Sequence, residues 1–421
     1  MTSKRDHTTT PEDSPAIAHN AGNLTRYLTA HGTSLLGDQI YFVALAWAAK
    51  DAAGPNGVGT ALAAASLPRA ILMLLGGVIS DRYGARKVML GSNIARTVLV
   101  GFFCLWAIAQ QPGLTALCIV AVAFGSVDGV FYPASSAMPA LLIEAEKIPQ
   151  ANGLRQAAQQ GALLLGGPLG GVVLAAGGLV AALIANGAAL LISIACLLLT
   201  HTKNETAQKS STTTAKVSQQ MMEGLRYTVS SPLIRDTILI ITIASFGFAG
   251  PANVGLPLLA DHQGWDATGY GILTGALGAG ALAGALAVST TKGAPRPGIT
   301  AMAMLITQAL SMTVAAVTPY LWLAAVMMAI TGIGLSVASA ITMSLVQLNT
   351  HTEHLGRVMS VMTLGMVGLV PLAYIVCGWL ISTTGVSATF IIFSLLEISA
   401  AVIGMALPTL RAANYRQLGH A

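Results

Sequence analysis

Apolar residues in this chain come in runs of about 20, separated by short polar or Gly/Pro-rich breaks. A helix of about that length crosses the roughly 30 Å of bilayer hydrocarbon at 1.5 Å per residue. Twelve such runs are predicted as helices, at 24–49, 58–79, 88–109, 114–137, 156–176, 179–200, 237–259, 268–289, 299–317, 321–345, 358–382 and 387–407. Residues 1–23 are polar and read as a tail, and the first run is too polar and begins too late to be a cleaved signal peptide. The predicted fold class is all-α and integral to the membrane.

Composition points the same way. Charged residues occupy 9% of 421 positions and apolar types 54%, against about 25% charged residues in soluble domains. A water-soluble fold could not hide that much apolar surface, so lipid must cover it. Cys104, Cys118, Cys196 and Cys377 lie within apolar runs without CxxC or metal-ligand spacing and are expected to be buried thiols.

Charge then sets the orientation. Of 21 lysines and arginines, all but Lys50, Arg69 and Arg96 fall on one side if both termini share that side. The positive-inside rule makes it the cytoplasm. The net charge of +5 is thus a signal of topology and of contact with the membrane surface, not a nucleic-acid patch. The longest break, 201–235, starts with linker composition and ends in a segment read as a short helix on the membrane surface. The division is therefore a tail at 1–23, a first bundle at 24–200, the linker at 201–235, a second bundle at 236–408 and a tail at 409–421. A weak repeat supports duplication. Gly153 and Gly356 open the fifth and eleventh runs, and Pro168-Leu169 and Pro371-Leu372 follow at the same offset of 203 residues.

One break carries a motif. Gly77, Asp81, Arg82, Gly84, Arg86 and Lys87 match G-x-x-x-D-R-x-G-x-R-K, with Ala85 where a further basic residue is common. In this the chain resembles the major facilitator superfamily of transporters. The resemblance implies twelve helices in two pseudo-symmetric six-helix bundles, with a substrate site where they meet. It also makes Asp81 a conformational switch, holding the inside closed by facing the start of the eleventh helix at Gly356-Arg357, with Arg82 and Arg86 bridging to nearby groups. A loop that serves topology only is the alternative. Gly167, Pro168, Gly170 and Gly171 resemble the G-P-x-x-G-G signature of proton-coupled exporters, one residue shorter. With Gly271, Gly275, Gly280 and Gly284 in the eighth run they allow close helix contact between the halves. Ser34 to Tyr41 and Ala151 to Leu154 resemble the branch of macrolide and enterobactin exporters.

Ionisable residues inside a membrane invite a functional reading. Asp38, Arg69 and Asp128 sit 12, 12 and 11 residues from the cytoplasmic ends of their runs, about 16–18 Å deep. Asp38 and Asp128 are expected to share Arg69 as a fixed counter-charge, one carboxylate carrying the coupled proton. The alternative is a permanent salt-bridge network. Arg96, 9 residues past Lys87, is expected to reach toward the cytoplasmic surface. Glu397 is expected to make a structural or inward-facing contact. His351 and His354 lack further ligands for a metal.

Tyr41 and Phe42 follow Asp38 by three and four residues, and Phe131 and Tyr132 follow Asp128 in the same way. With Phe246 and Asn253, near the kink-prone Pro251 and Pro257, they are the expected lining of an apolar, aromatic cavity with few hydrogen-bonding groups. The resemblance implies a proton-driven antiporter expelling amphipathic drugs, natural products or siderophores, monomeric, with the proton as coupling ion and no ATP or other cofactor. An importer of the same fold and a transport-inactive sensor are the rivals. No nucleotide loop, nucleophile motif or metal-ligand set suggests an enzyme.

Overall fold

The computed structural model describes residues 13–143, 148–201, 217–290 and 294–413. All regular structure among them is helical. Helix α1 (Asp13–Tyr83) turns back at Ala53-Gly54, where Gly54 takes φ +61°, and α4 (Ile148–Leu198) does so at Gly177-Gly178, where Gly178 takes φ +64°. Only glycine adopts that region without strain, so each helix is two crossings joined by a tight glycine turn. Helices α2 (Ala85–Ala109) and α3 (Leu114–Leu142) complete the first bundle.

Helix α5 (Val217–Ser230) precedes the second bundle. There α6 (Pro232–Gly250), a wide π turn at Pro251–Gly255 and α7 (Leu256–His262) make one bent crossing. Helices α8 (Asp266–Thr290), α9 (Pro297–Val317) and α10 (Leu321–Leu348) follow. Helices α11 (Thr352–Gly368) and α12 (Val370–Thr384) form the next crossing, broken at Leu369 ahead of Pro371. Helix α13 (Val386–Ala406) and the single turn α14 (Pro408–Arg411) close the chain. Among the described residues nine segments are long and apolar enough to cross a membrane, and the one at 150–198 holds two crossings. With the two limbs of α1 the count is twelve, as the runs predict. Large apolar side chains cover the outside, Phe102 at 71% exposed and Trp322 at 68%, which only a lipid surround tolerates.

The two bundles touch mainly at the end away from α5. There a methyl group on Gly59 would lie 2.6 Å from the Tyr374 carbonyl oxygen, and one on Gly378 2.7 Å from that of Pro55. Gly171 faces Ala267 and Gly271 backbone to backbone, and Gly275 abuts the Pro168 ring. The Gly/Pro segment of α4 therefore packs on the glycine face of α8. Lys50 closes the seam with an ion pair to Asp261 at 2.7 Å while lying over the Trp47 ring. Burial pulls the Lys50 ammonium down, but its hydrogen bonds to Asp261 and Asp51 outweigh that and leave it above its ordinary value. At the α5 end the bundles part around a cavity of about 350 Å³, with Met73, Tyr132 and Ser136 on one side and Met359, Thr363 and Val367 on the other.

Three residues of the second-break motif, Arg82, Gly84 and Arg86, have described roles. Gly84 takes φ +88° between α1 and α2, a turn that requires glycine. Arg86 donates to the Leu197 and Leu198 carbonyls, and Arg26 donates to that of Leu199. Both thereby cap the end of α4, where carbonyls lack helical partners. Arg82 lies over the neighbouring Tyr83 ring. Gly77 lies within α1, and the Asp81 side chain lies outside the described residues. Arg357 pairs with Glu223 of α5 at 2.9 Å, and the backbone of Arg357 packs on Gly224. The partner described for Arg357 is thus Glu223 of the linker helix.

A Val at Gly59 cannot be absorbed, since its nearest neighbours are backbone atoms. Gly59→Val is expected to lengthen the distance between spin labels at Asn56 and Ser382. An unchanged distance distribution would show that this contact does not hold the seam.

Candidate functional site

The first bundle is built around four charges. The first limb of α1 supplies Asp38, its second limb Arg69, α2 Arg96 and α3 Asp128. Backbone contact sets the spacing. Gly125 lies against Ala65 and Gly129 against Arg69, so α3 and the second limb of α1 approach without side chains between them. Asp128 is thereby brought to Arg69, Oδ2 lying 2.9 Å from Nε. Arg96 spans the two carboxylates, with Nη1 donating to Asp38 at 2.7 and 2.8 Å and to Asp128 at 3.0 Å.

Arg96 is wholly buried. Its Nη2 donates to Ser34 at 2.9 Å and to Asn93, and its guanidinium lies 4.7 Å from the Phe131 ring centre and 5.7 Å from that of Phe124. Asn93 is in turn held by Ser193 at 2.7 Å. The expected surface position of Arg96 is therefore corrected. Nine residues past Lys87 is already about 13 Å along a helix, too deep to reach water when two carboxylates wait at the same level. The assignment of Arg69 as the charge shared by both acids is corrected with it, since Arg96 makes that bridge.

Arg69 differs in kind. Its side chain is 36% exposed, and the Asp128 oxygen it approaches makes no aligned hydrogen bond. The ion pair is close but off-axis, and such a contact weakens steeply with angle. One arginine is fixed by oriented hydrogen bonds and two rings, while the other leans on the cluster from the cavity side. The order along the cluster is Asp38, Arg96, Asp128, Arg69, two charges of each sign.

The cavity opens in front of Arg69. One lobe is bordered by Asp38, Gln39, Phe42, Arg69, Tyr132 and Gln159. A second, nearer the closed end, brings Gln39, Phe42 and Arg69 up to Asn253, Tyr270 and Tyr374 of the other bundle. A third of about 270 Å³ lies within the second bundle and shares Asn253 and Tyr374 with it. Phe42, Tyr132 and Asn253 thus border the cavity as expected. Tyr41 and Phe131 do not. Both are 1% exposed, Tyr41 stacked on Phe124 at 4.1 Å and Phe131 under Arg96. At 100° per residue, the third and fourth positions after an inward-facing acid diverge to opposite sides of it. In both helices the third residue turns to the core and the fourth to the cavity. Phe246 is half-buried and stacked on Phe393 of α13 at 5.7 Å.

The lining is less apolar than expected, with Gln39, Gln159, Gln160, Asn253 and Gln308 among its walls. Gln159 and Gln160 lie nine and eight residues before Pro168 on α4, a helix whose glycines and proline predict packing contacts only. Glu397 is 1% exposed and lies against Gly247 of α6, its Oε1 without a partner, so it makes an inward-facing contact. His354 stacks on Tyr227 at 4.6 Å. Among the described residues no group of three or more His, Cys, Asp or Glu could hold a metal.

Residues 27–371 match the family model of the Major Facilitator Superfamily. The chain belongs to that superfamily. It is accordingly a multi-pass membrane transporter and not an enzyme. Among relatives, the multidrug efflux pump Tap of Mycolicibacterium fortuitum is 28% identical over 399 residues, covering 93% of this chain and 97% of that protein. Similar solved structures include the nucleoside transporter NupG (11% identity, TM-score 0.71, 91% of this chain and 98% of that chain). The POT family transporter PepTSo (10%, 0.72, 91% and 97%) and a D-xylose-proton symporter (14%, 0.67, 92% and 98%) are others. At such identities the likeness is one of fold alone.

Removing one partner of a buried ion pair costs about 3–5 kcal/mol, because the remaining charges stay uncompensated. Arg96→Gln is expected to lose about that much stability, read as a lower midpoint of thermal unfolding in detergent. Arg69→Gln, at a partly hydrated site, should cost about 1 kcal/mol or less. Equal losses for the two would contradict the distinction between them.

Proposed function

We propose that this superfamily member exports amphipathic small molecules across the cytoplasmic membrane in exchange for protons, by alternating access, as a monomer with both termini in the cytoplasm. The observation that carries this is the position of Arg69, which pairs with the buried Asp128 and also fronts the cavity. The basic residues on the α5 side make that side cytoplasmic, so the open cavity faces inward. The relative described as a multidrug efflux pump supports the direction.

The cycle follows from charge balance. With both carboxylates ionised the cluster is neutral, and Arg69 is held at Asp128. Protonating Asp128 or Asp38 leaves one positive charge in excess, and the arginine with the weaker hold moves. Arg69 then swings from Asp128 into the cavity, where it competes for the space and polar partners of a bound substrate. A proton entering from outside thus expels substrate outward, and its release inward lets Arg69 return. Arg69 serves throughout as a mobile counter-charge, since a guanidinium does not give up its proton. The proton is the only coupling species required, and neither ATP nor a cofactor takes part. Among the groups that alternate are the glycine contacts of α4 on α8 and the Lys50–Asp261 pair, which must part as the cavity turns outward.

Asp38→Asn and Asp128→Asn, tested separately in inverted vesicles, are expected to lower accumulation of an amphipathic dye driven by a pH gradient by about tenfold or more. Retention of full gradient dependence in both variants would defeat proton coupling through this cluster. Dye movement that needs no gradient, or runs toward the cytoplasm against it, would favour the importer.

A further inference from the structure

Among the described residues a fifth charge, without an opposite, stands against a tyrosine of the cavity wall. Arg155 of α4 lies two turns into its helix and against Tyr132 of α3, its guanidinium 6.0 Å from the ring centre. Its Nε and Nη1 are buried and without hydrogen-bond partners, although the side chain as a whole is only half-buried. Tyr132 borders both the wide open lobe and the lobe in front of Arg69. One turn further along α4, Gln159 accepts a hydrogen bond from the Tyr132 hydroxyl at 3.3 Å and borders the same lobe.

The charge count of this region is lopsided. Asp38, Arg96, Asp128 and Arg69 cancel, and the second-bundle lobe has no charged residue on its wall. Among the described residues Arg155 is left as net positive charge behind Tyr132 of the cavity wall. A guanidinium with buried, unpartnered N–H groups costs free energy that an arriving anion recovers. Its planar fork fits a carboxylate with two parallel hydrogen bonds, which an ammonium cannot match.

We propose that Arg155, with Tyr132 and Gln159, forms an anion subsite that selects amphipathic substrates carrying a carboxylate, the apolar body lying toward Met73, Met359 and Val367 of the open lobe. This deepens the export reading by naming a substrate class. It also sets the cavity apart from one built for cationic drugs, since nothing described on its walls offers an uncancelled negative charge.

Equilibrium binding to the full-length protein in lipid nanodiscs tests the subsite without any gradient. Radiolabelled 2-naphthoate is the probe, with its methyl ester and 2-naphthylmethylammonium as competitors. The wild type should bind the carboxylate at least about tenfold more tightly than either, the scale of one charge-assisted pair. Arg155→Gln should lose that preference while binding the ester as the wild type does, and Arg155→Lys should keep part of it. Equal or tighter binding of the ester or the ammonium by the wild type would overturn the proposal, as would failure to bind any of the three. Unaltered naphthoate affinity in Arg155→Gln would overturn it too. The wild-type comparison stands even if that variant does not fold. Selective naphthoate binding without proton-driven movement in proteoliposomes would instead defeat the export reading and leave the subsite in place.

Discussion

Charge inside lipid must be compensated where it stands, and in this chain Arg96 does most of that work. Its guanidinium is wrapped by Asp38, Asp128, Ser34 and Asn93 and covered by two phenyl rings. Four helices of the first bundle are tied at that point: α1, α2, α3 and, through Ser193 and Asn93, α4. A guanidinium so held does not move easily. That fixity makes the neighbouring pair informative. Asp128 spends one oxygen on the immobile arginine and turns the other toward an arginine that borders water.

The consequence is a division of labour within one cluster. The inner half is scaffold, and its hydrogen bonds keep the two acids at one depth. The outer half is a contact of good distance and poor angle, and the proposed proton coupling rests on it. A salt-bridge network that only held helices together would have no need to face the cavity with one of its members. The glycine seams elsewhere serve the same economy. They let helices meet backbone to backbone at Gly59, Gly171 and Gly378, so the bundles can seal one end without interlocking side chains that would hinder reopening.

Much of this was legible in the sequence, for physical reasons. Lipid demands long apolar runs, so twelve helices could be read from the pattern of those runs, and Gly54 and Gly178 mark the returns within α1 and α4. Asp38, Arg69 and Asp128 were found because charge at mid-depth is costly and therefore rare. Arg96 was misread because depth was counted from a neighbouring lysine, not against the level of the acids. Asn93, three residues earlier on the same face, was the available signal. Tyr41 and Phe131 were misassigned because counting from an acid ignores the angle between the third and fourth positions. Gln159 and Arg155 escaped because an exposed-looking helix start gives no hint of which residues a neighbouring tyrosine will cover.

The central claim is that the ionisation of this cluster and the occupancy of the cavity are linked through Arg69. Proton counting tests it most directly. Purified protein in weakly buffered detergent solution, mixed with a transported substrate and a pH-sensitive dye, should release protons on binding, and Asp128→Asn should bind with that release reduced. Binding by the wild type with no change in bulk pH at any starting pH would contradict the account.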